Sequence, residues 1–501
     1  MNSNTDIPAL STTRNSQIYN EDLIFEQSTP GVSGVSLPND HADLAIDLPS
    51  ELLRDDDLLL PEVSEPEVVR HFTRLSTYNY GIDLNFYPLG SCTMKYNPRI
   101  NEEVAALPHL NHAHPGMLPQ YLQPQLSIIH QLQTKLCALT DMAAITLQPA
   151  AGAHGELTGL FLIHAWHQNK GENRKIILIP DSAHGTNPAT CALAGYEVRQ
   201  LASNEKGMLD LEALKAALTP DVAALMITNP NTLGVFESQI KEAADLLHAN
   251  GSLLYMDGAN FNAVVGKVSL GKMGVDVCHL NLHKTFSTPH GGGGPGAAAV
   301  VVAQSLADYL PSPTVTKEGD QFVFATAPKS IGRMKAGIGH FGMIVRALTY
   351  ILTYGNEIGQ IAELATLNAN IVRDELKDTL TLASQADSMH EAVFNDAVLK
   401  EAGFDTMTLA KALIDYGYHP PTVYFPLIVS GAMMIEPTET ESIATIRHFA
   451  KVVKDIVARM KQGDESLKAM PVRSPVMRVD EVTAARNPVL NYFTNHDHSK
   501  H

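Results

Sequence analysis

The chain has 501 residues, 45% of them hydrophobic, and a formal net charge of -18. That length can bury a large core in two or three domains, and the acidic balance excludes general affinity for nucleic acid or an anionic membrane. No apolar run approaches the roughly 20 residues that span a bilayer. The polar start MNSNTDIPAL lacks the apolar core of a signal peptide and the Arg-rich character of a transit peptide. Cys92, Cys137, Cys191 and Cys278 form no Cys-x-x-Cys pair, which removes a zinc or dithiol motif from consideration. The expectation is a soluble, reduced, cytoplasmic protein.

Residues 1–65, rich in Ser, Asn, Pro and acids, read as an extended arm. A helix is expected at 64–76, with Ser64 as N-cap and acids in its first turn. It opens a helical segment assigned to 66–142. From 143 short apolar runs alternate with helical stretches. Strands are expected at 143–148, 175–180, 222–228, 252–257, 277–282 and 297–302, with helices at 155–168, 209–218 and 238–249. Continuous apolar strands between helices predict an α/β domain over 143–340 with a mostly parallel central sheet. Ligands bind such sheets at loops leaving the strands' carboxyl ends. Beyond 340, helices at 341–376 and 439–462 and strands at 422–429 and 432–437 predict a smaller C-terminal α/β domain over 341–490. The tail 491–501, ending NHDHSKH, is expected to be disordered.

Five loops at strand ends carry the candidate chemistry. Lys284 follows an apolar strand amid Asn281, His283, Thr285 and Ser287. Lysine is rarely buried, and a buried one favours the neutral amine that forms Schiff bases. An exposed loop lysine is the commoner explanation of any single residue. Gly291 to Gly294 lead into another strand rather than a helix, so the dinucleotide fingerprint fails. Close passage of backbone past a cofactor or a neighbouring subunit explains them better. Asp257 ends the preceding strand, where a carboxylate can hold a proton on a pyridinium nitrogen; an Asx-turn is the plainer alternative. Gly152, Ala153 and His154 open a helix whose first N–H groups can approach a phosphate. The loops 181–187 and 228–232 add Thr186, Asn187 and Thr232, and Ala259 follows Asp257.

Together these residues resemble the PLP-bearing part of the glycine decarboxylase P-protein. The blocks are YPLGSCTMKYNP (87–98), TLQPAAGAHGELTG (146–159), PDSAHGTNPAT (180–190), TNPNTLGVFE (228–237), YMDGAN (255–260), NLHKTFSTPHGGGGPG (281–296) and MMIEPTETES (433–442). The resemblance runs from about Leu23 to about Glu481. It implies fold type I of PLP-dependent transferases, which is aspartate-aminotransferase-like, with pyridoxal 5'-phosphate as cofactor and glycine as substrate. It also implies that this is the second, cofactor-carrying subunit of a hetero-oligomer, with glycine decarboxylase subunit 1 and a lipoylated H-protein as partners. On that footing Lys284 is the Schiff-base lysine, Asp257 the pyridinium partner and His154 the ring-stacking residue. Gly152, Ala153, Thr186, Asn187, Thr232, Ala259, His283 and Thr285 are expected around the cofactor. Tyr87, Thr93 and Lys95 are candidates for contacting glycine or the lipoyl arm, and Cys92 reads better as packing than as a reactive thiol. Ile338-Gly339-His340-Phe341 and the Ala-rich run after Gly296 depart from the family pattern. Another PLP reaction without lipoyl transfer, or a non-catalytic scaffold subunit, remain the competing readings.

Overall fold

The computed structural model describes residues 21–35, 48–55, 58–290, 296–474 and 476–492. The expected strand runs form β1 (Ala144–Thr146), β2 (Ile176–Pro180), β4 (Val222–Thr228), β5 (Leu253–Gly258), β6 (Val277–Asn281) and β7 (Ala298–Val302). Every residue of β2, β4, β5, β6 and β7 is buried, as strands covered on both faces require. A seventh strand, β3 (Glu197–Leu201), was not expected. Its sequence EVRQL is polar because it lies at the sheet edge, where side chains meet water. The sheet order is β1-β7-β6-β5-β4-β2-β3. Only β7 runs antiparallel to its neighbours, so β1, β2, β4, β5 and β6 present their carboxyl ends on one edge.

Helices Gly152–Asn169, Thr186–Leu193, Leu211–Ala217 and Ile240–Ala249 connect these strands. A hairpin of β8 (Thr314–Glu318) and β9 (Gln321–Ala325) follows, where no strand is expected from the sequence. The smaller antiparallel sheet comprises β10 (Thr381–Leu382), β11 (Ala392–Asn395), β12 (Thr422–Val423) and β13 (Met433–Ile435), in the order β10-β11-β13-β12. The helix expected over 341–376 is two, Phe341–Tyr354 and Gly359–Leu376. Gly355, at φ 53°, breaks it, since a positive φ ends helical geometry. The strand expected over 422–429 stops at Val423, because Tyr424 takes φ 57° and Pro426 has no N–H for a ladder.

Contacts group the chain into two compact units, one of residues 1–85, 414–418 and 468–501, the other of 86–413 and 419–467. The five-part division expected from the sequence does not nest in this grouping, which cuts 66–142 after 85 and 341–490 at 414–418 and at 468. In the first unit the helix Glu65–Ser76 starts as expected, with the Glu67 carboxylate accepting from the Ser64 N–H and Oγ. All three sheets of the described residues lie in the second unit. The glycine run 291–294 and the tail from 493 fall outside the described residues.

Candidate active site

Asp257 is the penultimate residue of β5 and is 2% exposed. Its register partner on β6 is His279, so the two side chains share a face of the sheet. Tyr255, two residues earlier, shares that face. The His279 Nε2 lies 3.2 Å from Asp257 Oδ1, and its Nδ1 lies 2.8 Å from the Tyr255 hydroxyl. Asn187 Nδ2 donates to Asp257 Oδ2 at 2.9 Å and the Ala259 N–H to Oδ1 at 2.8 Å. Burial alone pushes the Asp257 carboxyl up. His279, the Asn187 and Ala259 donors and the nearby Lys284 outweigh it, so the group sits below the usual range. A buried carboxylate held ionised is what a protonated pyridinium nitrogen needs. His279 escaped the sequence reading; pairing β5 with β6 in register would have found it.

Lys284 lies three residues beyond β6, in a turn closed by its N–H on the Asn281 carbonyl at 3.1 Å. Its Nζ donates to the Ser91 carbonyl at 2.7 Å. That contact brings the 87–98 block to the reactive edge. The neighbouring His283 turns instead to β7, with Nδ1 3.1 Å from the Ala297 carbonyl. Burial pushes His283 down to about 4, so the ring is neutral at pH 7. The Thr285 hydroxyl is buried with no hydrogen-bond partner, as is Asn187 Oδ1. Such orphaned atoms are rare in native interiors, and here they mark a site with unfilled bonding capacity.

Gly152 opens its helix against Asn281: a Cβ there would lie 2.9 Å from the Asn281 side-chain oxygen and nitrogen. The glycine therefore lets the helix start sit close to β6. The first-turn N–H groups, including that of Ala153, have no intrahelical acceptor and carry the positive end of the helix dipole. The His154 Nδ1 accepts from the Ala150 N–H at 3.2 Å, and burial followed by Lys335 lowers its pKa. His184 has different company. Burial also lowers its pKa, but Asp257, Lys284, Glu156 and His279 all act on it. The ring amid the reactive charges is thus His184, which the sequence reading passed over, while His154 stays with the anion-binding helix start. The Thr186 hydroxyl donates to Glu156 at 2.8 Å, and Thr232 to the Ser182 carbonyl. The departing residue His340 places Nδ1 2.6 Å from the Gly296 carbonyl.

Lys95 requires a correction. Rather than facing a substrate, it is 3% exposed. Its Nζ reaches Asn262 Oδ1 (2.9 Å), the Thr285 carbonyl (2.7 Å), the Tyr350 hydroxyl (3.0 Å) and Glu439 Oε1 (2.8 Å). Its donors are all taken, so it braces the Lys284 loop from behind. Thr93 is likewise occupied, with its N–H and hydroxyl both on Glu436. Tyr87 stacks on His419 at 4.0 Å. Burial pushes the Cys92 thiol up, which suits packing and not nucleophilic chemistry.

An ionised buried carboxylate, an amine at the next strand end, a free helix start and orphaned hydroxyl and amide oxygens together fit pyridoxal phosphate. Comparison with known proteins agrees. The model of the glycine dehydrogenase C-terminal domain matches residues 361–475 and that of aminotransferase class-V matches 158–308. The chain is 51% identical over 480 residues to the probable glycine dehydrogenase (decarboxylating) subunit 2 of Caldanaerobacter subterraneus subsp. tengcongensis, covering 95% of this chain and 99% of that protein. It is 48% identical over 482 residues to the protein of the same description from Pyrococcus furiosus, covering 95% and 96%. Among solved structures it is similar to a glycine decarboxylase (P-protein) of the glycine cleavage system in inhibitor-bound form. There the TM-score is 0.69 and identity 19%, over 84% of this chain and 95% of that one. A cysteine desulfurase from Escherichia coli is similar in fold at TM-score 0.59 and 15% identity, over 75% of this chain and 96% of that one.

Proposed function

Because the chain belongs to the glycine dehydrogenase (decarboxylating) subunit 2 family, we propose that it decarboxylates glycine at the carboxyl edge of its large sheet, handing the aminomethyl group to the lipoyl arm of an H-protein. Its fold is fold type I of the PLP-dependent enzymes and its cofactor is pyridoxal phosphate. The description as subunit 2 implies a subunit 1. No described helix is long and apolar enough to cross a membrane, and a cytoplasmic hetero-oligomer is the working assignment. The meeting of Asp257, held ionised, with Lys284 on adjacent strand ends carries this reading.

When bound, pyridoxal phosphate supplies the electron sink for the carbon that loses its carboxylate. Asp257 would keep the proton on the ring nitrogen, and His279 with Asn187 fixes the carboxylate's orientation. The Gly152–His154 turn would offer its N–H groups to the phosphate, and His154 or His184 would supply the ring that packs on the cofactor. Lys284 would hold the cofactor through Nζ, and the Ser91 carbonyl, which Nζ reaches at 2.7 Å, would keep the free amine placed to move protons. Overall the glycine C–C bond breaks with release of CO2, and a C–S bond forms as the lipoyl S–S bond breaks. The second sulfur leaves as thiolate and takes a proton.

The test is borohydride reduction of the cofactor-loaded chain with peptide mapping, followed by glycine-dependent CO2 release with subunit 1. A covalent label on Lys284, and turnover that needs lipoylated H-protein, is the expected result. Equal turnover without the H-protein would replace lipoyl transfer with simple decarboxylation. A label elsewhere would remove Lys284.

A further inference from the structure

A second group of buried titratable side chains lies beside the lysine and is unused by the chemistry above. His390 and Glu391 directly precede β11, and Glu436 directly follows β13. None of the three is exposed (0%). One carboxylate oxygen of each Glu and one ring nitrogen of His390 lie within 4.8 Å of one another. Glu391 Oε2 and both ring nitrogens of His390 have no hydrogen-bond partner. Among the described residues no lysine or arginine pairs with either carboxylate: Lys284 donates to Ser91, and Lys95 to Glu439. Burial pushes His390 down to about 3, so it brings no positive charge. Two full negative charges this close and this dry are strongly disfavoured, and one proton between them removes the conflict.

The carboxylates also have backbone work. Glu391 Oε1 accepts the Ser91 N–H at 2.5 Å, and Glu436 accepts the Thr93 N–H at 2.9 Å and its hydroxyl at 2.6 Å. Ser91 and Thr93 sit at φ 64° and 49°, a region that side chains rarely adopt and β-branched ones least of all. Glu391 and Glu436 thus hold in place an unfavourable backbone whose product is a carbonyl aimed at Lys284 Nζ, 2.7 Å away.

We propose that Glu391 and Glu436 together carry a single proton at neutral pH and act as positioning residues for Lys284, holding the Ser91–Thr93 backbone so that the Ser91 carbonyl receives the amine. The catalytic consequence rests on Lys284 being the reactive lysine; the proton sharing does not. Burial and the charge of Glu436 raise Glu391 well above the usual range, against the Ser91 N–H and Lys284. Burial raises Glu436 to about 7, with Glu439 adding to it and Thr93 and Lys284 opposing. His390, Lys95 and the Cys92 thiol complete the titratable groups facing the pair.

An acid whose pKa is raised by folding binds its proton more tightly in the folded chain. Its contribution to stability is therefore lost as pH rises from the unfolded value through the folded one. The discriminating variant is Glu391→Gln, which keeps an oxygen for the Ser91 N–H and cannot ionise. Thermal unfolding of the full cofactor-free chain is followed against pH. The Tm of the wild type relative to Glu391→Gln should fall as pH rises above about 4.5. After loading with pyridoxal phosphate, borohydride labelling of Lys284 should survive in Glu391→Gln and drop several-fold in Glu391→Ala. If the alanine variant does not fold, the glutamine variant carries the test alone. Parallel Tm curves would overturn the shared proton. So would a Tm rise on adding zinc or manganese that the wild type shows and Glu391→Gln lacks, since a cation would then balance the pair. Equal labelling in folded Glu391→Ala would overturn the positioning role.

Discussion

Asp257 and Glu436 are both carboxyls shut away from solvent, at 2% and 0% exposure, yet their pKa values move in opposite directions. Burial pushes each upward. At the sheet edge the register-paired His279, the Asn187 amide, the Ala259 N–H and Lys284 reverse that push and keep Asp257 ionised. Beside the small sheet Glu436 has two donors from Thr93 but also Glu439 nearby and a carboxyl neighbour in Glu391, and it rises to about 7. Burial is the largest single influence on both acids, and their partners decide whether it prevails. The same contrast separates the lysines. Lys95 is saturated by four acceptors, whereas Lys284 has one carbonyl, that of Ser91.

Replacing Lys284 with Ala should break the comparison most severely. Glycine-dependent CO2 release is expected to vanish and borohydride to trap no cofactor, with Tm little changed; residual full turnover would mean that another amine does the work. Asp257→Asn removes the anion and keeps the shape. A fall in kcat on the order of 10²-fold is expected, as for loss of one preorganised electrostatic partner. Unchanged kcat would show that an ionised partner is not required.

Lys95→Met tests the structural lysine. Leaving Glu439 buried without its cation should cost about 3–5 kcal/mol in urea unfolding, whereas a stable variant with lost turnover would return Lys95 to the chemistry. The smallest expected effect concerns His290. Chiefly burial lowers it, to about 3, so the unfolded chain takes up a proton first as pH falls. The stability of the neutral ring is full above pH 6.5 and is lost as pH falls towards 3. His290→Gln should flatten part of the acid-side Tm loss, and an unaltered slope would mean that the ring is protonated in the fold.

Much of the site could be read along the chain because its parts are local. Strand-ending Asp257, strand-following Lys284 and the small-residue helix start at Gly152 each announce themselves by position. His279 and Glu391 do not. One depends on which strand lies beside β5, the other on a sheet 300 residues of chain away from Ser91. Likewise β3 is polar because it is an edge, and edge position belongs to the sheet and not to five residues of sequence.

The alternation of apolar runs and helices determined by itself that a mostly parallel sheet would form and that its chemistry would gather at strand carboxyl ends. Family resemblance carried in contiguous blocks supplied the cofactor and the reaction. Only the tertiary structure decided which lysine is spent on internal acceptors, which histidine stands among the reactive charges and which buried acid gathers the partners that hold it ionised. Those outcomes depend on distances between residues remote in sequence, and electrostatic and hydrogen-bond energies in a dry interior change steeply with such distances.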